Sequence, residues 1–161
     1  MNAEEARRHL RYSRWASLRL LDAAMKLPKD QLERDLGTSH KGLLETLNHI
    51  HMADRAWLMR VLGKPPQPPA GPVETEWPAT LDQWQQWAAA LTDADLPRVI
   101  DYRDLKGNPH RSTLQDIVMH VVNHATLHRG QAMGMMRQLG ATPPPTDLIF
   151  FYREEAAVAS V

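Results

Sequence analysis

The chain contains no cysteine, and this absence excludes several kinds of site at once. Disulfides, thiolate metal sites, iron–sulfur clusters and cysteine nucleophiles are all ruled out. Any metal ion must therefore be bound by histidine, carboxylate or water. No run approaches the roughly 18 apolar residues of a membrane span, and the N-terminal residues lack the apolar segment of a signal peptide. We therefore expect a soluble, cytoplasmic protein.

An excess of either charge is missing as well. The 19 Lys and Arg residues balance the 19 Asp and Glu residues, so the formal net charge is zero. This balance does not indicate a surface for nucleic acid or for an anionic membrane, and we expect neither partner. The length of 161 residues, 43% of them hydrophobic, predicts a single domain spanning residues 1–161 with a core of its own.

Apolar residues recur at helical spacing in four segments, which predicts an all-α fold. The helices are predicted at about residues 3–26, 39–63, 80–93 and 113–140. Ser39 is the predicted cap of the second helix, and Ser112 begins a capping box before the fourth. Prolines predict a long crossing loop at residues 64–78, and a small hairpin is expected at 98–112. The result is a predicted four-helix bundle with a crossover between the second and third helices, followed by a short final helix or tail.

Three of the eight histidines lie one turn apart in the fourth predicted helix. At about 100° per residue, His124 and His128 lie about 40° and 80° around the helix from His120. The apolar stripe is centred near 100°, so His128 lies in its middle, His124 on its flank and His120 at its edge. Two imidazoles at positions i and i+4 lie one above the other, so His124 and His128 predict a metal clamp.

A third ligand must come from another helix, and the second helix offers His49 and His51. The two flank the apolar stripe on opposite sides, so periodicity does not choose between them. The remaining histidines, His9, His40 and His110, are interpreted as solvated surface residues. The alternative to a metal site is a set of histidines that are hydrogen-bonded inside the bundle.

Two common metal chemistries do not match the pattern. A zinc protease motif would place a glutamate after the first histidine, where this chain has Ala125. A ferritin-like di-iron site needs Glu-x-x-His pairs, and the predicted helices contain none. A single-ion site is therefore the prediction that remains.

The chain resembles the DinB/YfiT-like family in three segments: RYSRWASLRLLD, LLETLNHIHMADRAWLMRVLG and DIVMHVVNHATLHRGQAMGMMRQLG. The most specific element is the His-x-x-x-His-Arg-Gly-Gln run at 124–131. Members of this family are four-helix bundles that bind one divalent metal ion, commonly zinc or nickel, through three histidines. The resemblance implies that His49, His124 and His128 are the ligands and that His120 has a supporting or structural role. One departure is Ser17, where relatives often have Asn.

Three neutral imidazoles leave a coordination position open, as in catalytic metal sites. By resemblance we expect a metal-dependent transferase or hydrolase that acts on a small molecule and forms a homodimer. Relatives in the wider superfamily include thiol-dependent S-transferases, which implies a low-molecular-weight thiol as a cofactor. Two alternatives remain: a metal-binding bundle without catalysis, and a metal-free interaction module.

The sequence also predicts the surroundings of four further residues on the two helices that carry the candidate ligands. Asp54 is interpreted as part of a solvated helix face, and no general base is assigned. Gln131 is expected to orient a metal ligand or to pair with backbone. Arg129 is expected to meet solvent, a carboxylate or a dimer partner. A glycine within a helix costs about 1 kcal/mol relative to alanine, so Gly130 is expected to have a packing role, namely to allow close approach of another helix or of backbone.

Overall fold

The computed structural model of the chain describes residues 1–159, so the last two residues of the predicted domain lie outside the described part. The elements along residues 1–159 are α1 (Ala3–Met25), α2 (Lys29–Leu32), α3 (Leu43–Val61), α4 (Val73–Ala89), β1 (Val99–Arg103), β2 (Pro109–Thr113), α5 (Leu114–Gln138) and α6 (Leu148–Ala159). The predictions of a mostly helical chain and of a small hairpin before the last long helix are therefore confirmed.

The four long helices pack through their apolar faces. α1 contacts α4 and α5, and α3 contacts the same two helices. The buried side chains form two clusters along the helices, one around Leu58 and Trp84 and the other around Leu47 and Trp77. This packing places α3 beside α5, so that histidines on the two helices can meet.

Helix α4 begins at Val73, seven residues before the predicted start at Thr80. The backbone N–H groups of Thr75 and Glu76 donate to the carbonyl of Pro72, which starts the helix. Pro78 lies inside α4 and supplies no backbone donor there. Burial of apolar side chains, including the fully buried Trp77, outweighs that missing bond. The crossing connection is correspondingly shorter than predicted.

Helix α3 begins at Leu43, four residues after the predicted cap at Ser39. Its N-cap is Gly42, where an added Cβ would collide with the backbone carbonyl of Arg34. Ser39 lies instead in a turn in which the N–H of Lys41 donates to the carbonyl of Thr38 at 2.9 Å. The residues before α3 therefore form a loop that reaches over the start of the helix.

Both ends of α5 lie close to their predicted positions. The N-cap is Thr113, whose side chain accepts from the N–H of Asp116, one residue later than the predicted box. The strand pairing of the hairpin runs from Val99 opposite Thr113 to Arg103 opposite Pro109. Gly140 has a φ of 80° just past the helix end, which is the usual role of a terminating glycine. Among residues 1–159, no helix combines the length and apolar character that crossing a bilayer requires.

Candidate metal centre

Four histidines from two helices and one turn meet at a single place. α3 contributes His49, α5 contributes His124 and His128, and the turn before α3 contributes His40. The ring centroid of His128 lies 4.4 Å from that of His49 and 4.5 Å from that of His124. The ring of His40 lies 4.0 Å from that of His49. We call these four residues the histidine cluster.

The centre of the cluster is the pair His49 and His128. Their Nε2 atoms face each other at 3.2 Å across the interface between α3 and α5. Two imidazole nitrogens bound to one tetrahedral zinc ion at about 2.0–2.1 Å lie about 3.3 Å apart. The spacing of the pair therefore fits two ligands of one ion with little rearrangement. Ring nitrogens of His40, His49 and His128 all lie within 4.8 Å of one another, a set that contains His40 in place of the predicted ligand His124.

The contact between His128 and Gln131 determines which nitrogen of His128 is available. Nδ1 of His128 lies 2.7 Å from Oε1 of Gln131. An amide oxygen only accepts hydrogen bonds, so Nδ1 of His128 carries the proton and donates it. Nε2 then has a free lone pair, and this is the atom that faces His49. The contact agrees with the expectation that Gln131 orients a ligand.

His124 has a buried nitrogen with no partner among residues 1–159. Its Nδ1 is excluded from solvent and makes no hydrogen bond within this part of the chain. Buried polar atoms are nearly always paired, so this unpaired imidazole nitrogen is available to bind a cation. Burial, together with the neighbouring rings of His128 and His49, lowers the pKa of His124 to about 4.

The same effects keep His49 neutral. Burial and the neighbouring rings of His40 and His128 lower the pKa of His49 to about 4. A neutral imidazole is the form that binds a metal ion, because the ligand nitrogen must carry a lone pair. Near pH 7, His49 and His124 therefore offer neutral nitrogen donors.

His40 does not have the surface position expected for it. Its ring stacks on His49 with an angle of 21° between the planes, and its edge approaches His128. No pattern in the sequence pointed to this contact. Helical spacing indicated His124 and His128 and the family resemblance indicated His49, whereas His40 lies outside the helices. Its place depends on the turn at residues 38–41.

His51 and Asp54 lie on the side of α3 that faces α4, away from the cluster. His51 is buried, and its Nε2 lies 3.1 Å from Oγ1 of Thr80. Asp54 is 1% exposed, so its expected place on a solvated face was wrong. Its Oδ2 accepts from Nε1 of Trp77 at 2.8 Å. Between the two candidates on α3, His49 lies in the cluster and His51 does not.

His120 lies beside the cluster and outside it. Its ring centroid is 5.5 Å from that of His124 and 5.0 Å from that of Trp57. The residue is exposed and continues the histidine ladder along α5. Its contacts agree with a supporting position next to His124.

Arg129 was expected to meet solvent, a carboxylate or a dimer partner; the solvent expectation was wrong, because the residue is 1% exposed, whereas the carboxylate of Asp54 does favour its charged form. Its guanidinium donates to the hydroxyls of Ser13 and Ser17 on α1, at 3.2 and 3.1 Å, and to Thr126 at 2.8 Å. Ser17, the departure from the family pattern, is thus a hydrogen-bond partner of a buried cation. The expectation for Gly130 was also wrong, because nothing lies within 4 Å of the place its Cβ would take.

Comparison with known proteins identifies the family. A family model described as the DinB family matches residues 1–157. The chain belongs to the DinB family. Protein DinB of Bacillus subtilis (strain 168) is 24% identical over 149 residues, covering 84% of this chain and 87% of that protein. A crystal structure of a DinB-like protein from Bacillus cereus ATCC 10987 matches with a TM-score of 0.63 and 23% identity, over 89% of this chain and 97% of that one. At this identity the structural match shows the fold alone.

An open cleft of about 270 Å³ gives access to the cluster in this DinB-family chain. Its walls are Ser39, His40, Lys41, Glu45, Asn48, His49 and Met52. Because His40 and His49 line the cleft, a small molecule that enters it reaches the imidazoles directly. An ion held there by three imidazoles would keep a position for such a molecule, and it would supply a Lewis acid that can polarise a carbonyl, acidify water or bind a thiolate.

Proposed function

We propose that this chain binds one divalent metal ion, zinc or nickel, through His49, His124 and His128, and that it is a metal-dependent transferase or hydrolase acting on a small molecule. The observation that supports this most directly is the 3.2 Å approach of Nε2 of His49 to Nε2 of His128. Uncoordinated imidazoles in such a cluster would compete for few hydrogen-bond partners, whereas one cation satisfies all of them.

His124 is the third ligand of the proposal for two reasons. Its ring lies 4.5 Å from that of His128 and 5.1 Å from that of His49, so it borders both members of the central pair. Its Nδ1 is buried and has no partner within residues 1–159. His49 and His124 are neutral near pH 7, because burial lowers the pKa of each to about 4, and the cleft beside His49 leaves room for a substrate.

The remaining parts of the proposal follow from the family resemblance. A low-molecular-weight thiol is the expected cofactor, because an open position on zinc or nickel accepts a thiolate. We also propose that α1, α3, α4 and α5 form one four-helix bundle, which is supported by the packing of α1 and α3 against both α4 and α5. A homodimer is the expected assembly, and light scattering of the purified protein tests it.

Elemental analysis of untagged protein tests the metal assignment. We expect close to one ion per chain in the wild type and loss of that ion in His49→Ala and in His124→Ala. The matched control is His51→Ala, on the same helix but bonded to Thr80, which keeps its metal. Equal loss from His51→Ala contradicts the ligand assignment. A wild type without metal after reconstitution with zinc and nickel contradicts the proposed function.

A further inference from the structure

His40 differs from the other members of the histidine cluster because a turn carries it and no helix fixes it. The N–H of Lys41 donates to the carbonyl of Thr38 and closes the turn. His40 then stacks on His49 at 4.0 Å, with its ring centroid 5.3 Å from that of His128. Ring nitrogens of these three residues lie within 4.8 Å of one another, as ligands of one ion must.

Two sets of three histidines therefore share the central pair. His124 makes ring contacts with His49 and His128, and so does His40. A ring nitrogen of His40 lies within 4.8 Å of those of both central residues, whereas His124 is placed beside the pair by its ring contacts. An ion bound by the pair would take a third nitrogen from His124 and a fourth from His40. Four nitrogen donors complete a tetrahedral zinc site and leave no position for substrate.

The turn that carries His40 is held by backbone hydrogen bonds from Leu36, Lys41 and Gly42, but it also contains a strained residue. Lys41 has a φ of 62°, which is an unfavourable backbone conformation for a residue with a side chain. Oγ1 of Thr38 is buried and has no hydrogen-bond partner within residues 1–159. These features lower the cost of moving the turn, because its present conformation already carries strain.

Open space flanks the turn on both sides. The cleft of about 270 Å³ lies against Ser39, His40 and Lys41. A second cleft, of about 220 Å³, lies against Thr38 and Ser39 and extends to α5. The first cleft therefore offers the His40 side chain space outside the cluster, whereas His124 and His128 are carried by α5.

We propose that His40 is an exchangeable fourth ligand, which occupies the coordination position that an incoming thiolate or other donor takes. The inference rests on the proposed function, since it needs the ion held by His49, His124 and His128. In the exchange the nitrogen lone pair of His40 leaves the ion and the lone pair of the incoming donor replaces it. No electron is transferred, the proton of an incoming thiol is lost to solvent, and the His40 side chain moves into the cleft.

X-ray absorption of the untagged, zinc-loaded full chain tests the ligand number without any variant. We expect four imidazoles in the wild type and three in His40→Ala. The control is His110→Ala, which replaces an exposed histidine of the hairpin and leaves four. A wild type with three imidazoles overturns the proposal and leaves the three-histidine site intact, whereas a wild type without metal overturns the proposed function itself.

Cobalt-substituted protein tests the exchange. On addition of 2-mercaptoethanol we expect a sulfur-to-cobalt charge-transfer band, together with a drop from four imidazoles to three. His40→Ala develops the same band at a lower thiol concentration, because no ligand has to leave. A thiol that binds while four imidazoles remain, or no thiol binding by the wild type, shows that His40 does not exchange and overturns the proposal.

Zinc affinity distinguishes a site whose permanent third ligand is His124 from one whose permanent third ligand is His40. In competition with a chromophoric chelator, His40→Ala is expected to bind zinc at least tenfold more weakly than the wild type, the loss typical of even an outer-shell partner. It nevertheless keeps one ion per chain. Retention of zinc by His124→Ala together with its loss from His40→Ala shows that His40 is a permanent ligand, which contradicts exchange.

Discussion

Nε2 of His49 on α3 lies 3.2 Å from Nε2 of His128 on α5, although the two residues are 79 positions apart in the chain. Nδ1 of His128 donates to Gln131, so Nε2 of His128 has only a lone pair to offer. Without an ion, His49 must donate a proton to this lone pair. With an ion, both nitrogens accept the same cation, and α3 is joined to α5 by coordination.

Metal removal is therefore expected to lower the thermal stability of the protein. A ligand at 100 times its dissociation constant stabilises the folded state by about 2.7 kcal/mol. For a chain of this size each kcal/mol shifts the melting temperature by about 2–4 °C, so a chelator should lower it by roughly 5–10 °C. Calorimetry with chelator, and again after zinc is restored, measures the shift. His49→Ala should show no chelator effect, and an equal effect in that variant contradicts the assignment.

Gln131→Ala is expected to weaken metal binding while leaving the fold intact. The substitution removes the acceptor of Nδ1 of His128, so the ring can rotate and its proton can move to Nε2. Loss of such a partner costs about 10- to 100-fold in metal affinity. Competition with a chromophoric chelator measures the change. The control is Gln138→Ala, at the exposed end of α5, and unchanged affinity in Gln131→Ala would show that the contact does not orient the ligand.

The helical part of the candidate site could be predicted from the sequence. Periodicity places His124 and His128 on one face of α5, because their spacing depends only on local helix geometry. The choice between His49 and His51 needs the packing of α3, since both flank its apolar stripe. It was the family resemblance, and not the spacing, that favoured His49.

The parts that could not be predicted depend on contacts between distant segments. His40 reaches the cluster through a turn, and the close approach of Gly42 to the carbonyl of Arg34 helps to fix the chain beside it. Asp54 is buried because α4 begins early enough to bring Trp77 against it. Prolines in the connecting segment suggested a later start for α4, so the burial of Asp54 could not be foreseen.

Asp54 predicts a pH dependence of stability. Burial raises the pKa of Asp54 to about 7, above the ordinary value of 3.8 that holds in the unfolded chain. The folded state therefore binds the proton more tightly, and this carboxyl makes folding progressively less favourable as the pH rises from about 4 to about 7. Above that range both states are ionised and the loss is constant.

Comparison of wild type with Asp54→Asn isolates this effect from that of the buried histidines. The asparagine can still accept from Trp77 and does not ionise, so the variant should gain stability over the wild type, by up to a few kcal/mol, as the pH rises from 4 to 7. Denaturant unfolding at a series of pH values measures the difference. Asp22→Asn, an exposed change on α1, should show little pH-dependent difference. A difference for Asp54→Asn that does not vary with pH contradicts the raised pKa.

Arg129→Lys is expected to destabilise the fold although it conserves the charge. The guanidinium of Arg129 bonds Ser13, Ser17 and Thr126 at once, and an ammonium does not reproduce this planar geometry. Each buried group left without a partner costs about 1–3 kcal/mol, so we expect a loss of that order or more in the free energy of unfolding. The control is Arg137→Lys on the exposed side of α5, which should change stability by less than about 0.5 kcal/mol. Equal unfolding free energies for the two variants would show that the bonds from Arg129 to α1 do not stabilise the packing that holds α5, and with it His128, in place.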